Sequence, residues 1–361
     1  MRLLLVNSAW PESWGGGEKW TIEAAAWLRD QRHQVAVLGW PDSLLIQAAR
    51  RRELESIEFK FAGDFDPFAI SRAKRVLKQF RPDCLIVNFN KEAWLFGRPA
   101  RALKIPVVAR HGFPLLQNKL HHRYLLKHVI TKLIVNAKSI REGYIEAGLA
   151  AENAEIILNG VQETEQKTGE LRQRFSIQKD ELLVLAAGRM EAQKRFDRVI
   201  EIAQRCCAQQ DKLKFVILGS GPLREALQTQ IDAAGLTERV QLGKFVRNFA
   251  QVVGDADLFM LTSDKEGSPN VLMEAMAAGV CCLSTAVGSV PQLFGEAFTP
   301  QIIQADDHDS TADRILSLLK QPQERKQLGD AMRQRVLSQF SFEQSMRDYE
   351  QVFAKLCLGR S

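Results

Sequence analysis

Short apolar runs alternate with longer amphipathic segments along almost the whole chain. In chain order, the runs lie near residues 2–6, 34–38, 83–87, 106–110, 132–135, 156–158, 182–187, 214–218, 240–243 and 258–261. A run of four to eight apolar residues bounded by turn residues is typical of a buried strand, and the segments between the runs have helical spacing. The alternation predicts an α/β architecture with doubly wound parallel sheets, in which ligands lie beyond the carboxyl ends of the strands.

The length of the chain favours two domains of this kind. The 361 residues exceed what one hydrophobic core usually serves, and a polar stretch at 162–169 separates the two sets of runs. We therefore predict one domain over residues 1–162, a second over 170–341, and a terminal helix with an apolar stripe from 342. The six cysteines form no C-x-x-C pair and no apolar run reaches the roughly 18 residues of a membrane span, so a cytoplasmic location is expected.

One short segment of the second half carries two glutamates. Ser268 is a favoured N-cap residue, Pro269 suits the first helical position, and Gly279 suits the left-handed residue after a C-terminus, so we expect a helix between them. Glu266 would lie just before the positive end of this helix, and Glu274 about 8 Å further along it. A buried carboxylate needs a partner, so Glu274 either pairs with a cation or accepts hydroxyl groups from a ligand. The remainder of the chain is expected to be helical.

Cations and glycines follow two other strands of the second half. Gly188, Arg189 and Lys194 come after the run at 182–187, where two cations beside a helix start are well placed for a diphosphate. Gly219 and Gly221 follow the next run in a tight loop. This loop is only a weak phosphate-binding pattern, because neither the Walker motif nor the dinucleotide motif is present.

The first half offers a glycine loop and a histidine at strand ends. Gly15, Gly16 and Gly17 separate the first run from a helix, and they either let a ligand approach the backbone or form a plain flexible turn. His111 follows the run at 106–110 directly, either as a ligand-facing residue or as a structural one. The residues alone favour neither alternative strongly.

Positive charge is concentrated in the first half. Residues 1–160 hold 24 Lys and Arg against 16 Asp and Glu, whereas the rest hold 25 against 27. No zinc-finger spacing or RNP-like motif supports a nucleic-acid partner, which leaves an anionic substrate or an anionic membrane surface. The segment 115–130 mixes leucines and cations at helical spacing, which fits either a membrane-facing helix or a solvated helix over the core. The D-x-D pairs at 64–66 and 255–257 are expected to be structural.

In this order, these residues resemble the family-4 retaining glycosyltransferases, whose hallmark is E-x7-E, here Glu266 to Glu274. The resemblance covers essentially the whole chain. It implies the GT-B fold, in which two Rossmann-like doubly wound domains face each other across a cleft. It also implies that the terminal helix 342–361 completes the N-terminal, acceptor-binding domain, and that the domain at 170–341 binds the nucleotide-sugar donor.

The resemblance assigns a role to each motif position. Glu274 would bind the ribose hydroxyls and Glu266 the donor sugar, while His111 would reach the transferred sugar. The implied catalytic set is His111, Glu266, Arg189 and Lys194. The implied donor-binding set is Gly16, Gly17, Gly188, Arg189, Lys194, Gly219, Gly221, Lys244, Phe245, Glu266, Gly267, Ser268, Pro269, Asn270, Val271 and Glu274. The chain departs from the family pattern at Arg195, where a glycine commonly follows the lysine, and at Gln162, where an aspartate commonly follows Asn-Gly-Val.

The expected reaction moves a sugar from a UDP- or GDP-sugar to a hydroxyl of a glycan or lipid-linked acceptor, with retention of configuration. No metal and no cofactor other than the nucleotide-sugar co-substrate is expected. The expected acceptors are cell-envelope glycans such as lipopolysaccharide core, O-antigen, capsule or lipid-linked oligosaccharide, at the inner face of the cytoplasmic membrane. A sugar-nucleotide epimerase and an inactive sugar-nucleotide-binding module are the alternatives.

Overall fold

The computed structural model describes residues 1–61, 67–112, 120–164, 167–246 and 248–358. The chain divides into two compact units, Met1–Leu158 with Glu343–Ser361, and Asn159–Phe342. Each unit is built on one parallel sheet with helices packed against it. The predicted α/β architecture with doubly wound sheets is therefore confirmed in both units.

The first unit contains a seven-stranded sheet. Its strands are β1 (Arg2–Val6), β2 (Gln34–Gly39), β3 (Glu55–Glu58), β4 (Cys84–Val87), β5 (Val107–His111), β6 (Lys132–Val135) and β7 (Ala154–Ile156). Its helices are α1 (Gly16–Asp30), α2 (Leu44–Arg51), α3 (Pro67–Phe80), α4 (Asn90–Glu92), α5 (Arg98–Ala102), α6 (Leu120–Tyr124) and α7 (Lys138–Glu146). The strand order β3-β2-β1-β4-β5-β6-β7 reverses between β1 and β4, which puts the topological switch point at the carboxyl ends of these two strands.

The second unit contains a six-stranded sheet. Its strands are β8 (Leu182–Ala187), β9 (Leu213–Leu218), β10 (Val240–Gly243), β11 (Leu258–Leu261), β12 (Cys281–Thr285) and β13 (Ile302–Ile303). Its helices are α8 (Glu170–Arg174), α9 (Phe196–Cys207), α10 (Arg224–Ala233), α11 (Phe249–Val252), α12 (Asn270–Ala277), α13 (Val290–Phe294), α14 (His308–Lys320) and α15 (Pro322–Gln339). The order β10-β9-β8-β11-β12-β13 reverses between β8 and β11, so this sheet has its switch point there.

The apolar patterns explain how these elements pack. Strand β1 is at most 1% exposed from Leu3 to Val6, because helices cover both faces of a parallel sheet. The terminal helix α16 (Phe342–Leu358) buries Met346, Tyr349, Val352 and Phe353, and its residues from Glu343 belong to the first unit. Within the described residues, no helix combines the length and the apolar character needed to cross a bilayer.

The structure corrects the sequence-based prediction at four strands. Strand β3 was missed, because Glu-Ser-Ile-Glu at the edge of a sheet lacks an apolar run. Strand β7 lies at Ala154–Ile156 rather than 156–158. The prediction that everything after Gly279 is helical was wrong, since β12 and β13 complete the second sheet. The apolar run of β12 follows a helix after only three residues, so the sequence looked like one continuous helical region.

Candidate active site

A buried ion pair lies at the switch point of the second sheet. Lys194, in the loop after β8, donates from Nζ to Oε1 of Glu266, in the loop after β11, at 2.6 Å. Ser263 Oγ donates to the same oxygen at 2.7 Å. The side chains of Lys194 and Glu266 are only 12% and 5% exposed. The charges interact strongly because little water screens them, and the hydroxyl of Ser263 adds a bond that helps to offset the desolvation of the carboxylate.

The same two loops are also joined by bonds that do not involve the ion pair. Thr262 Oγ1 donates to the carbonyls of Lys194 and Arg195 at 3.2 and 3.0 Å. The amide of Asp264 donates to the carbonyl of Gln193 at 2.9 Å. These bonds hold the backbone of the two loops that carry the ion pair, which is the kind of preorganisation that electrostatic catalysis requires.

Arg195, which stands where the family pattern has a glycine, has a left-handed backbone conformation. Its φ is +50° and its ψ is +46°, a left-handed conformation that costs a non-glycine residue about 1–2 kcal/mol. Its guanidinium donates to Asp197 and to Asp264 at 3.0 Å, and these bonds raise the pKa of Arg195 further. The bond from Arg195 to Asp264 adds a further connection between the two loops.

Helix α12 begins one residue later than predicted. Its N-cap is Pro269, with φ −77° and ψ 96°, and Asn270 is the first helical residue, so the prediction of Ser268 as N-cap was wrong. Ser268 instead donates from Oγ to Sδ of Met273 at 3.5 Å. Proline has no side-chain acceptor, so the N-cap residue cannot bond the amides of the first turn, which suits this end of the helix to an anionic ligand. Gly279 has φ +72°, as predicted for the residue that ends the helix.

Glu274 and Asn270 share this helix. Glu274 is 7% exposed, as expected for a carboxylate surrounded by apolar helix positions. Oδ1 of Asn270 accepts a bond from Nδ2 of Asn159 at 2.8 Å, which ties the start of α12 to the segment that enters the second unit. Gly160 lies beside Asn159 in close contact with Phe342, where a Cβ atom would lie 2.4 Å from the Phe342 Cα.

A third loop, which sequence reasoning missed because β12 was missed, supports the Glu266 loop. Thr285 Oγ1 donates to the carbonyl of Ser263 at 2.7 Å, and the amide of Ser289 donates to the carbonyl of Gly267 at 2.8 Å. Gly288 has φ +54°, and a Cβ atom there would lie 2.2 Å from the Gly267 oxygen. Serine and threonine at the end of a buried apolar run were the sequence signal that could have revealed this support.

In the loop after β9, close packing against the loop after β8 requires glycine at positions 219 and 221. A Cβ atom at Gly219 would lie 1.9 Å from the Gly188 oxygen, and one at Gly221 would lie 2.5 Å from the Met190 oxygen. These two glycines therefore let the loop after β9 contact the loop after β8. The Cβ position of Gly188 is filled by the side chain of Lys194, 3.1 Å away.

The remaining predicted donor residues of the second unit lie on the same edge but outside the ion pair. Arg189 is 65% exposed at its side chain and pairs with Glu191 at 3.1 Å, so its carboxylate partner is not the one that pairs with Lys194. Lys244 and Phe245 follow β10, and Phe245 is 50% exposed. The resemblance implies that Lys244 and Phe245 belong to the base-binding region of the donor site, a role that stays a prediction.

The first unit places His111 at the carboxyl end of β5. The residue is 1% exposed, and its Nδ1 lies 2.6 Å from the hydroxyl of Tyr144. Burial, with the charges of Arg110 and His122, lowers the pKa of His111 to about 3, so the ring is neutral at pH 7. Its Nε2 is buried and has no hydrogen-bond partner among the described residues. A neutral imidazole with one unused nitrogen is suited to bind a hydroxyl group.

The low pKa of His111 predicts an acid-dependent loss of stability. Its pKa is lowered from 6.5 to about 3 on folding, so the unfolded state binds the proton first, and stability is lost as pH falls below about 6.5. His111→Gln removes this loss. The stability of wild type relative to His111→Gln should fall by about 3 kcal/mol from pH 7.5 to 4.5 in urea unfolding. The exposed control His128→Gln should show no such change, and equal slopes for wild type and His111→Gln would contradict the assignment.

Glu92 ties together the switch point of the first sheet. It accepts bonds from the amides of Ser8, after β1, and Asn88, after β4, both at 2.5 Å. It is 0% exposed, and burial raises its pKa to about 8 against the opposing effect of these amides. Gly16 and Gly17 follow in the first turn of α1, where a Cβ atom at Gly17 would meet nothing within 4 Å. The packing of the unit therefore gives no reason for glycine at position 17.

The structure describes only part of the leucine- and cation-containing segment 115–130 of the first unit. Of the segment 115–130, residues 115–119 lie outside the described residues. In the described part, Leu125, Leu126 and Val129 are buried in the core, whereas Arg123 and Lys127 are exposed. This is the arrangement of a solvated helix over the core, so Leu125 and Leu126 are not available to a membrane.

Only one of the two D-x-D pairs lies within the described residues. The pair at 64–66 lies outside the described residues. In the second pair, Asp255 accepts bonds from the amides of Gly169 and Leu171, and Asp257 pairs with Arg172 and Arg325. These carboxylates hold the start of the second unit together, which is a structural role. Among the described residues, no group of three or more His, Cys, Asp and Glu side chains is arranged to hold a metal ion.

Two family models together match most of the chain. Residues 14–165 match Glycosyltransferase Family 4, and residues 167–335 match Glycosyl transferases group 1. The chain belongs to the family-4 glycosyltransferases. The predicted resemblance is thus confirmed at the level of the family.

Two relatives match part of the chain. The N-acetyl-alpha-D-glucosaminyl L-malate synthase of Bacillus anthracis is 28% identical over 185 residues, which cover 51% of this chain and 48% of the relative. The putative teichuronic acid biosynthesis glycosyltransferase TuaC of Bacillus subtilis is 33% identical over 142 residues, which cover 39% and 34%. The match spans about half of the first relative and about a third of the second.

Solved structures match the chain over nearly its whole length. The crystal structure of Anabaena HepE in complex with UDP and glucose has a TM-score of 0.87 at 17% identity, and the match covers 98% of this chain and 100% of that one. At this identity the likeness shows the fold, which is GT-B as predicted.

Proposed function

We propose that this family-4 glycosyltransferase transfers a sugar from a UDP- or GDP-sugar to an acceptor hydroxyl with retention of anomeric configuration. The observation that carries the proposal is the buried Lys194–Glu266 pair, 2.6 Å apart at the switch point of the second sheet and close in sequence to the start of α12. A cation and a helix N-terminus favour a diphosphate, and a carboxylate favours sugar hydroxyls. One site then offers both halves of a nucleotide-sugar their complementary groups.

We assign the donor residues as the family resemblance implies. Lys194 and the exposed Arg189 bind the diphosphate, with backbone amides from Gly267 to Val271. Glu266 binds the hydroxyls of the donor sugar, and Glu274 binds those of the ribose. Lys244 and Phe245 contact the base. The crystal structure of HepE with UDP and glucose supports UDP as the nucleotide to test first.

Glu266 acts in binding rather than as a nucleophile. Its Oε1 already accepts bonds from Lys194 and Ser263, which reduces its ability to attack an anomeric carbon. The acceptor oxygen instead forms its bond to the anomeric carbon on the face from which the phosphate leaves. The bond to the phosphate oxygen breaks, and that oxygen takes the acceptor proton. The protein contributes positioning and stabilises the leaving charge through Lys194, Arg189 and the amides of α12, without a metal ion.

The acceptor is a glycan or lipid-linked glycan of the bacterial cell envelope. TuaC, the relative named for teichuronic acid biosynthesis, supports this class of product. The excess of positive charge in residues 1–160 supports peripheral contact with anionic lipid at the inner face of the cytoplasmic membrane. Because Leu125 and Leu126 are buried, such contact depends on exposed cations and should weaken with salt.

Nucleotide and reaction are tested separately. UDP and GDP at millimolar concentration should raise the melting temperature of wild type if they bind the native state. The preferred nucleotide with its glucose, N-acetylglucosamine or mannose derivative is then incubated with glycan acceptors, and the anomeric configuration of the product is read by NMR. Inversion, a covalent glycosyl enzyme, or loss of transfer on addition of EDTA would contradict the mechanism. Epimerised donor without transfer would identify an epimerase.

Two matched glycine variants separate a ligand role from a packing role. Gly17→Ala places a methyl group where nothing lies within 4 Å, so its melting temperature should equal or exceed that of wild type, while transfer falls because a ligand approaches this helix start. Gly219→Ala should lower the unfolding free energy by about 3 kcal/mol or more because of the Gly188 oxygen. Thermal unfolding and initial rates measure both effects. Full transfer by Gly17→Ala would remove the ligand role of this loop.

A further inference from the structure

A stacked pair of tryptophans lies at the carboxyl edge of the first sheet. Trp10 is in the loop after β1, and Trp40 directly follows β2, which pairs with β1. Their ring centroids are 5.9 Å apart and their planes differ by 11°. Trp10 is nevertheless 71% exposed. One face of its indole ring is therefore covered by Trp40, and the other face is open to solvent.

The loop that carries Trp10 is held in place by hydrogen bonds. The amide of Ser8 donates to Glu92 at 2.5 Å, and Nε1 of Trp40 donates to the carbonyl of Ser8 at 3.1 Å. The amide of Ser13 donates to the carbonyl of Trp10 at 2.8 Å, which closes a turn around the exposed ring. An indole ring displayed on a fixed loop gains little from burial in its own unit, so its conformation is better explained by a ligand.

We propose that Trp10, Trp40 and Lys91 form a subsite for an acidic sugar residue of the acceptor glycan. The proposal rests on the proposed function, since it names the acceptor that the transferase would recognise. An indole face carries negative charge density and attracts the slightly positive C–H groups on one face of a pyranose ring. Lys91, on the neighbouring α4, has its ammonium 5.8 Å from the centroid of the Trp40 ring and supplies the charge for a carboxylate or phosphate.

The subsite holds a sugar other than the one that reacts. In the sheet order β2-β1-β4-β5, the end of β2 with Trp40 lies three strands from the end of β5 with His111. At ~4.8 Å between strands, this separation is ~14 Å, more than one sugar ring spans. The acceptor is therefore an oligosaccharide whose acidic residue lies at least one ring away from the attacking hydroxyl.

Binding of two matched probes to the full-length protein tests the subsite. Cellobiose and cellobiouronic acid differ by one carboxylate, and saturation-transfer NMR with tryptophan fluorescence measures their affinity. Trp10→Ala should weaken the acidic probe about tenfold, and Trp10→Phe should restore most of this loss. Lys91→Gln should weaken the acidic probe about fivefold and leave cellobiose unchanged. Tyr124→Ala, which removes another exposed ring of the same unit, is the control and should change neither affinity.

Each outcome decides one part of the proposal. Equal affinity of wild type and Trp10→Ala for both probes, or no binding to wild type, would overturn the subsite. An equal effect of Lys91→Gln on both probes would overturn its acidic specificity. UDP affinity of the variants should stay within about twofold of wild type, because the subsite belongs to the acceptor. If wild type binds the probes but neither UDP nor GDP, the transferase proposal fails and the glycan subsite stands.

Discussion

Replacing Lys194 by alanine is expected to lower kcat for sugar transfer by about 10²- to 10³-fold. The ammonium group is held 2.6 Å from Glu266 at the end of β8, where it would stabilise the charge that develops on the leaving diphosphate. The variant also leaves Glu266, whose side chain is 5% exposed, without its cation, so the unfolding free energy should fall by about 3 kcal/mol. Initial rates at saturating donor and urea unfolding measure the two effects.

Two further variants separate these effects of Lys194. Lys194→Ala combined with Glu266→Gln removes the unpaired carboxylate, so stability should recover while turnover stays low. If the double variant turns over as fast as Glu266→Gln alone, Lys194 serves only to hold Glu266 and does not act on the diphosphate. Lys265→Ala removes an exposed lysine next to Glu266 and should leave rate and stability close to wild type.

The sequence was sufficient for the strands that are apolar on both faces. β1, β6, β8 and β11 were predicted with their observed bounds, because a buried parallel strand has a distinctive apolar run. The edge strand β10 was also predicted with its observed bounds, although its sequence Val-Gln-Leu-Gly is only half-buried. The edge strand β3 has glutamates at both ends, and β12 follows helix α12 after three residues, so neither pattern was distinctive. Tertiary packing, rather than local propensity, decides the structure of such segments.

The charged residues of the site could be predicted from the sequence, but the hydrogen bonds that hold the Glu266 loop in place could not. The spacing of Glu266 and Glu274 and the position of Lys194 after a strand predicted a shared edge, and the structure brings Lys194 to Glu266. The sequence did not indicate that Glu266 itself would be the partner of Lys194, because that contact depends on the reversal of strand order between β8 and β11. The supports from Thr285 and Ser289 come from a strand that local patterns did not reveal.

Glu274→Gln and Glu266→Gln are expected to affect different steps. Under the proposed function, Glu274 bonds the ribose, which does not change during the reaction, whereas Glu266 bonds the sugar, whose charge develops in the transition state. Glu274→Gln should therefore weaken UDP binding about tenfold and leave kcat at saturating donor within about threefold. Glu266→Gln should leave UDP affinity within about threefold and lower kcat about 10²-fold.

Calorimetric titration with UDP and initial rates over a range of UDP-sugar concentrations distinguish the two patterns. Both substitutions keep the shape of the side chain, and both glutamates are 7% exposed, so each variant serves as the control for general damage by the other, apart from the ion pair with Lys194 that only Glu266→Gln loses. Melting temperatures confirm that the folds are intact before the rates are compared. The opposite result, with UDP affinity lost in Glu266→Gln and kcat lost in Glu274→Gln, would mean that ribose and sugar occupy the site in the reverse order along α12.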